Sequence, residues 1–187
     1  MSHYLDIHLL PDPDLPTHVL LSALYAKLHR ALVELQTHEI GITFPAYQLS
    51  PPSLGDRLRL VGPASALDQL VSSLRLGGMR DHLRWEPVTM VPATAEHRRL
   101  RRLQVKSNSD RLRRRQMKRH GLTEAEALAR VPDTAVELLR LPFLQVRSAS
   151  TGQAFRLFLK LGAPQPEASE GQFNAYGLSS CRTVPWF

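Results

Sequence analysis

Hydrophobic and polar residues follow two different periods in the first 35 positions of the chain. Apolar Leu5, Ile7 and Leu9 alternate with polar neighbours, and this spacing is typical of a half-buried β-strand. Apolar residues then recur every three or four positions from Thr17 to Leu35, which predicts an amphipathic helix. The chain therefore begins with a strand followed by a long helix.

The two periods continue to alternate as far as residue 92. Strand patterns occur at 40–44, 58–62 and 83–91, and each stops before a proline, which cannot donate to a sheet. A second helical pattern covers 64–74. The resulting order, β-α-β-β-α-β, predicts a ferredoxin-like fold with two helices on one face of an antiparallel sheet. That fold hosts many unrelated functions, so it does not identify one.

A second domain is predicted at 95–187, after a ferredoxin-like domain at 1–94. An arginine-rich helix is expected at about 108–120, because Gly121 is a natural residue just beyond a helix end. The sequence Thr123–Glu126 fits a capping box that opens a shorter helix. Further strands are expected at 143–147, 153–161 and 172–177. The predicted fold class is α+β, with short antiparallel strands in the C-terminal domain.

Positive charge is concentrated in one short part of the chain. Eleven of the 24 lysines and arginines lie between 97 and 120, together with a single acid, Asp110. The formal net charge is +7, so the remainder of the chain is acidic on balance. A charge that served solubility alone would be spread out, and this concentration instead predicts a localised polyanionic partner.

Several protein classes are disfavoured by the composition. No window approaches the roughly 18 continuous apolar residues of a membrane span, and the first residues do not resemble a secretion signal. Cys181 is the single cysteine, so an internal disulfide and a cysteine-based zinc site are both excluded. These features predict a cytoplasmic protein that does not bind a membrane.

The basic residues of the predicted helix share one face. These residues are spaced three or four positions apart, so they lie along about 12 Å of the helix axis. No acidic residue occurs between 111 and 120. Such a face repels itself in water, and a polyanion would relieve that repulsion. RNA is favoured over DNA, because no helix-turn-helix or zipper pattern is found and an arginine-rich helix can enter a widened RNA groove.

Residues with the chemistry for RNA cleavage are present, although each is unremarkable alone. His29 could act as a base, because imidazole titrates near neutrality. Ser148–Gly152 is a hydroxyl-rich turn and Tyr176 lies near the end of the chain. Arg102 and Gln104 carry groups that suit base edges. On composition alone, ordinary core and surface roles remain open for all of them, and no metal-binding, NTPase or esterase motif is found.

Nine short motifs, taken together, resemble the Csy-type CRISPR RNA endoribonucleases of subtype I-F. They run almost from end to end of the chain, and only about 46–80 matches poorly. The motifs are HYLDI (3–7), KLH (27–29), IGITFP (40–45), LQVKSN (103–108), RLRRR (111–115), SASTGQ (148–153), FRLF (155–158), YGLS (176–179) and VPWF (184–187). Any one could arise by chance, but their order and spacing make the resemblance specific.

The resemblance implies a catalytic role for three residues. His29 would deprotonate the ribose 2′-OH, Ser148 would hold that ribose, and Tyr176 would orient the histidine. The expected products are a 2′,3′-cyclic phosphate and a 5′-hydroxyl, and neither a metal nor another cofactor is expected. The RNA-binding residues implied by the matched motifs are Arg102, Gln104, Lys106, Ser107, Arg111, Arg114, Arg115, Lys118, Arg119, His120, Ser150 and Phe155.

The partners implied are a CRISPR repeat RNA hairpin, kept as the crRNA 3′ handle, and the other subunits of a type I-F surveillance complex. Two alternatives remain at this stage. One is a hairpin-binding subunit of the same family that has lost cleavage. The other is an unrelated RNA-binding protein of the kind found in ribosomes, which would not need His29, Ser148 and Tyr176 in these positions.

Overall fold

The computed structural model describes residues 2–103, 109–131, 140–148 and 151–187 of this 187-residue protein, with the backbone alone at 109–112. The described part combines helices with antiparallel sheets, so the predicted α+β class is confirmed. None of its helices is both long and apolar enough to cross a bilayer.

The largest sheet is built from the N-terminal half of the chain. Its strands are ordered β2-β5-β1-β6, and all of these pairs are antiparallel. Strand β6 pairs with the end of β1, and β7 pairs with its beginning. A small hairpin, β3 with β4, lies outside it. The elements of this half are β1 (His3–Leu9), α1 (Thr17–Leu35), β2 (Gly41–Thr43), β3 (Gln48–Leu49), β4 (Pro52–Ser53), β5 (Arg57–Gly62), α2 (Ala64–Ser73), a 3₁₀ helix (Gly77–His82), β6 (Leu83–Trp85) and β7 (Thr89–Met90).

Helix α1 has the limits that its periodicity predicted. Its apolar stripe is buried against the sheet, where Leu24 and Leu28 are fully enclosed with Ile7 of β1 and Leu58 of β5. Gln36, the residue after the helix, has a left-handed backbone conformation, and its N–H donates to the Val33 carbonyl. Burial of this stripe, rather than capping at the N-terminus, fixes the helix on the sheet.

The expected continuous strand at 83–91 is interrupted, so that prediction was wrong in detail. Strands β6 and β7 both pair with β1, but their registers differ by one residue. Pro87 lies between them and has no N–H to donate, which is a typical position for a bulge.

The described residues of the C-terminal half form a three-stranded sheet, a strand pair and two helices. The sheet is ordered β10-β11-β9, and β12 pairs with β8. The predicted strand at 143–147 is confirmed, and that at 153–161 is confirmed to within one residue. The elements are β8 (Glu96–Arg98), β9 (Leu100–Leu103), α3 (Ser109–His120), α4 (Glu124–Arg130), β10 (Phe143–Arg147), β11 (Ala154–Leu161) and β12 (Val184–Trp186).

One hydrophobic core joins the two halves. Leu144 and Val146 of β10, with Leu157 and Leu159 of β11, belong to the same buried cluster as α1. The backbone N–H of Gln145 also donates to the Ser22 hydroxyl of α1, at 3.1 Å. Helix α1 therefore lies between the two sheets and fixes the C-terminal strands relative to its own side chains.

Candidate active site and basic helix

His29 projects from α1 and is held at one of its two ring nitrogens. Its Nδ1 lies 2.7 Å from the carbonyl oxygen of Ala175. A carbonyl can only accept a hydrogen bond, so Nδ1 carries the hydrogen. In the neutral ring the lone pair is then on Nε2, which is the arrangement that a general base requires.

The ring of Tyr176 stacks on His29. The two ring centroids are 4.2 Å apart and the planes differ by only 9°. The contact is made by the aromatic face, so the ring itself restricts rotation of the imidazole. The structure thus brings together two of the three predicted catalytic side chains.

The segment around Tyr176 is a tight turn, and the predicted strand at 172–177 was wrong. The Asn174 side-chain oxygen accepts from the N–H groups of Tyr176 and Leu178, at 2.9 and 3.3 Å. Gly177 has a φ of +67°, and a Cβ there would lie 2.6 Å from Ile42. Asparagine and glycine are strong turn formers, and their local hydrogen bonds favour a turn over the predicted strand.

Arg102 and Phe155 extend the same aromatic group. The guanidinium carbon of Arg102, in β9, lies 5.2 Å from the Phe155 ring centroid and 5.5 Å from that of Tyr176. These are cation–π distances. Arg102 thus adds a positive charge beside Tyr176, whose ring stacks on His29, and it also lies beside Phe155 of β11.

Ser148 follows β10 and begins the turn to β11. Its N–H donates to Gln153, its carbonyl accepts from Gly152, and its hydroxyl accepts from the N–H of Thr151 at 3.3 Å. Gly152 allows this turn through a φ of +68°. These local bonds fix the backbone that carries Ser148. Ser150 lies outside the described residues.

A groove lies between β10 and α1, and its lining includes Arg147, which precedes Ser148, and Ala26, three residues before His29. The groove, about 360 Å³, extends from Ser22 and Gln145 to Ala26 and Arg147. From the Ser22–Gln145 contact, His29 is about 10 Å further along the helix. Ser148 is also about 10 Å further along the strand. Ser148 and His29 thus each follow the last groove-lining residue of their own element.

Helix α3 displays the predicted cations to solvent. Arg113 faces the other way, and its Nε and Nη2 donate to the Val131 carbonyl beyond α4, at 3.1 and 3.0 Å. Gly121 has a φ of +63° and ends the helix as predicted. The exposed residues are Arg114, Arg115, Lys118, Arg119 and His120. The Arg111 side chain and residues Gln104, Lys106 and Ser107 lie outside the described part of the chain.

One group of potential metal ligands occurs among the described residues. Oxygen and nitrogen atoms of Asp6, His8 and Glu86 lie within 4.8 Å of one another. However, both Asp6 oxygens accept from Arg59, and His8 is 2.7 Å from Glu86. These bonds within the protein account for the cluster, and the strands that carry it do not include the site residues.

Two side chains that organise the site were missed by the sequence analysis. Asn174 forms the turn described above, and the buried Tyr25 hydroxyl donates to the Tyr176 carbonyl at 2.9 Å. A usable signal existed for Tyr25, because it precedes His29 by four residues and so shares its helix face. Asn174 offered only its general turn preference.

The described residues thus combine an α+β fold, an imidazole fixed at Nδ1 and a helix with an exposed basic face. The chain matches the model of the family described as CRISPR-associated protein (Cas_Csy4) over residues 4–187. This protein therefore belongs to the Csy4 family, and the resemblance inferred from its motifs is confirmed.

Two curated relatives of this family are similar to the chain over its whole length. A protein of Pseudomonas aeruginosa (strain UCBPP-PA14), named CRISPR-associated endonuclease Cas6/Csy4, is 49% identical over 187 residues. A protein of the same name from Escherichia coli (strain UTI89 / UPEC) is 43% identical over 187 residues. Both alignments cover all of this chain and all of the relative.

Proposed function

We propose that this protein is an endoribonuclease that binds and cleaves repeat hairpins in CRISPR precursor RNA. The observation that carries the proposal is the state of His29. Its Nδ1 is bonded to a carbonyl and its ring is stacked on Tyr176, which leaves Nε2 available as a base. Membership of the Csy4 family and two relatives named as endonucleases support the same activity.

The reaction follows from these positions. Nε2 of His29 takes the proton of the ribose 2′-OH, and the resulting oxygen attacks the adjacent phosphorus. The bond to the 5′ oxygen breaks, and that oxygen is protonated as it leaves. The products are a 2′,3′-cyclic phosphate and a 5′-hydroxyl, and no metal is required. Ser148 holds the ribose, while the positive charge of Arg102 favours the phosphorane.

Recognition is assigned to the cationic and aromatic residues. Helix α3 occupies the major groove of the hairpin through Arg114, Arg115, Lys118, Arg119 and His120, which is supported by their exposure. Arg102 and Gln104 read base edges at the foot of the stem, and Phe155 stacks on the terminal pair. Contacts are also proposed for Lys106, Ser107, Arg111 and Ser150.

The protein retains the cleaved hairpin in this proposal. It then serves in the cytoplasm as the subunit that holds the crRNA 3′ handle in a type I-F surveillance complex. We also propose a ferredoxin-like domain at 1–94 and an RNA-binding domain at 95–187. The strand order β2-β5-β1-β6, with α1 and α2 in the connections, supports the first of these.

The decisive experiment incubates the protein with a repeat-derived hairpin in EDTA and analyses the ends of the products. Cleavage to a 2′,3′-cyclic phosphate and a 5′-hydroxyl is expected. Binding without cleavage would instead indicate the non-catalytic subunit. A 3′-hydroxyl at the cleavage site would contradict the proposed mechanism, because an attack by the 2′ oxygen cannot form it.

A further inference from the structure

Tyr25 places a polar hydroxyl in the centre of the hydrophobic core. The residue is fully buried in the middle of α1, with the Phe44 ring centroid 6.5 Å from its own. Phenylalanine would satisfy this packing equally well, since it has the same ring. The hydroxyl donates to the Tyr176 carbonyl oxygen at 2.9 Å, 151 residues away along the chain. Its role must therefore be sought in that turn.

Tyr25 and His29 together hold two consecutive peptide groups of the turn. They are one helical turn apart on the same face of α1. His29 donates to the Ala175 carbonyl and Tyr25 donates to the Tyr176 carbonyl. On its other side, the Tyr176 N–H is bonded to the side chain of Asn174. The backbone that carries the stacked ring is thus fixed from both directions.

The Tyr25 hydroxyl is a permanent donor. Burial is the main cause that raises the pKa of the Tyr25 phenol above its ordinary value of 10.0, so the group keeps its proton at any working pH. A buried hydroxyl without a partner would cost free energy, and the Tyr176 carbonyl supplies that partner. The bond therefore also disfavours any movement of the turn away from α1.

We propose that Tyr25 is a positioning residue for the cleavage reaction. By anchoring the turn at 174–178, it keeps the Ala175 carbonyl against Nδ1 and the Tyr176 ring against the imidazole of His29. It thereby selects the tautomer in which Nε2 is the base. This inference rests on the proposed function of His29, but it adds a residue that does not contact RNA.

The test replaces Tyr25 by phenylalanine, which removes the hydroxyl alone. Loss of a single buried hydrogen bond is expected to slow single-turnover cleavage about three- to tenfold, with hairpin affinity unchanged. In ¹⁵N NMR spectra of the free protein, the His29 ring should change from one tautomer to a mixture of both. A purely structural residue would change the melting temperature without this signal.

Tyr47→Phe is the matched control. The Tyr47 hydroxyl also donates to a backbone carbonyl, that of Leu159 at 3.2 Å, but it does not touch the turn. Its removal should leave the rate and the His29 spectrum unchanged. A Tyr25→Phe protein that cleaves at the parental rate, or that is slower with an unaltered His29 tautomer, contradicts the proposal.

A second variant weakens the same turn through a solvent-exposed residue. Asn174 is exposed, so Asn174→Ala creates no core cavity, whereas it removes the acceptor for the Tyr176 N–H. It should reproduce the slower cleavage and the mixed tautomer. Asn174→Asp keeps an acceptor oxygen and should restore both. If both defects are absent in Asn174→Ala, anchoring of the turn is not needed and the proposal fails.

The His29→Ala protein separates this inference from the proposed function. An inactive His29→Ala protein together with a fully active Tyr25→Phe protein would overturn only the role of Tyr25. A fully active His29→Ala protein would overturn the proposed base, and the role of Tyr25 with it.

Discussion

At the scale of single residues, His29 is the histidine of the described part of the chain whose ring both bonds a carbonyl through Nδ1 and stacks on an aromatic side chain. Nδ1 is engaged by Ala175, and the stacked Tyr176 ring limits rotation about the side chain. His8 and His82, by contrast, are paired with the carboxylates of Glu86 and Asp12. Residue type alone could not separate these histidines, since all carry the same imidazole side chain.

Replacing His29 by alanine tests the base directly. We expect cleavage in EDTA to be abolished, because no other described imidazole stacks on Tyr176. Hairpin affinity should be nearly unchanged, since the exposed cations of α3 remain. Single-turnover cleavage and equilibrium binding, measured on the same hairpin, would check the expected loss of cleavage and the expected unchanged affinity. Full activity in this variant would refute the assigned role.

The contribution of Tyr176 is expected to come from its ring rather than its hydroxyl. Tyr176→Phe keeps the stack on His29 and should cleave close to the parental rate. Tyr176→Ala removes the stack and should slow cleavage by up to about tenfold, given the strength of such aromatic contacts. Single-turnover rates decide between them. Equal and large losses in both variants would show that the hydroxyl is the important group.

At the scale of secondary-structure elements, α3 combines an exposed basic face with a fixed attachment. Arg113 bonds to the end of α4 while its neighbours face solvent. The sequence has no acid between 111 and 120, so the exposed cations of the helix have no acidic neighbour within that stretch. A phosphate backbone would neutralise their charge.

Arg114→Ala combined with Arg115→Ala should weaken hairpin binding and reduce its salt dependence. Each lost phosphate contact should lower the slope of log affinity against log salt by about 1. Binding titrations over a range of salt concentrations give the slope. The matched control is Arg80→Ala with Arg84→Ala, two exposed arginines of the N-terminal half. An equal loss of slope in both pairs would point to net charge rather than to α3.

Helix α4 should show a pH dependence at its capping box. Hydrogen bonds from the backbone and hydroxyl of Thr123 lower the pKa of Glu126 below its ordinary value of 4.5. The cap therefore contributes fully above pH 4.5 and is lost as the pH falls through the lower folded value. Amide exchange in α4 should become faster in that acidic range. In Glu126→Gln the same amides should show no such transition.

At the scale of the whole molecule, a buried ion pair connects the N-terminal sheet with the end of the chain. Arg59 makes two bonds to Asp6, at 2.6 and 2.8 Å, and a third to the Phe187 carbonyl at 3.0 Å. Its guanidinium also lies 3.7 Å from the Phe187 ring centroid. Both charged side chains are almost completely buried, so each needs the opposite charge of the other to offset its loss of hydration.

Asp6→Ala should lower the free energy of unfolding by about 3–5 kcal/mol, because it leaves the Arg59 charge buried without its carboxylate. Urea unfolding measures the change. Arg57→Ala is the control, since Arg57 reaches Asp6 at only 3.5 Å from a partly exposed position. Its expected cost is below about 1 kcal/mol. Similar losses in the two variants would contradict a special role for the buried pair.

The sequence by itself determined those features that depend on neighbouring residues. The limits of α1, the capping box at Thr123, the helix end at Gly121 and the strand at 143–147 were all predicted and confirmed. Each is fixed by side-chain periodicity or by hydrogen bonds within a few positions. Family membership was also recoverable, because its motifs are read directly as residue order.

Only the tertiary structure decided how the candidate site is assembled. His29 and Ala175 are 146 positions apart, and no local pattern records that one bonds to the other. The same holds for the Tyr25 hydroxyl and for Arg102 beside Tyr176. These contacts arise because α1 packs between two sheets and the turn at 174–178 folds back onto it. Periodicity reports which face of an element is buried, whereas topology determines what that face meets.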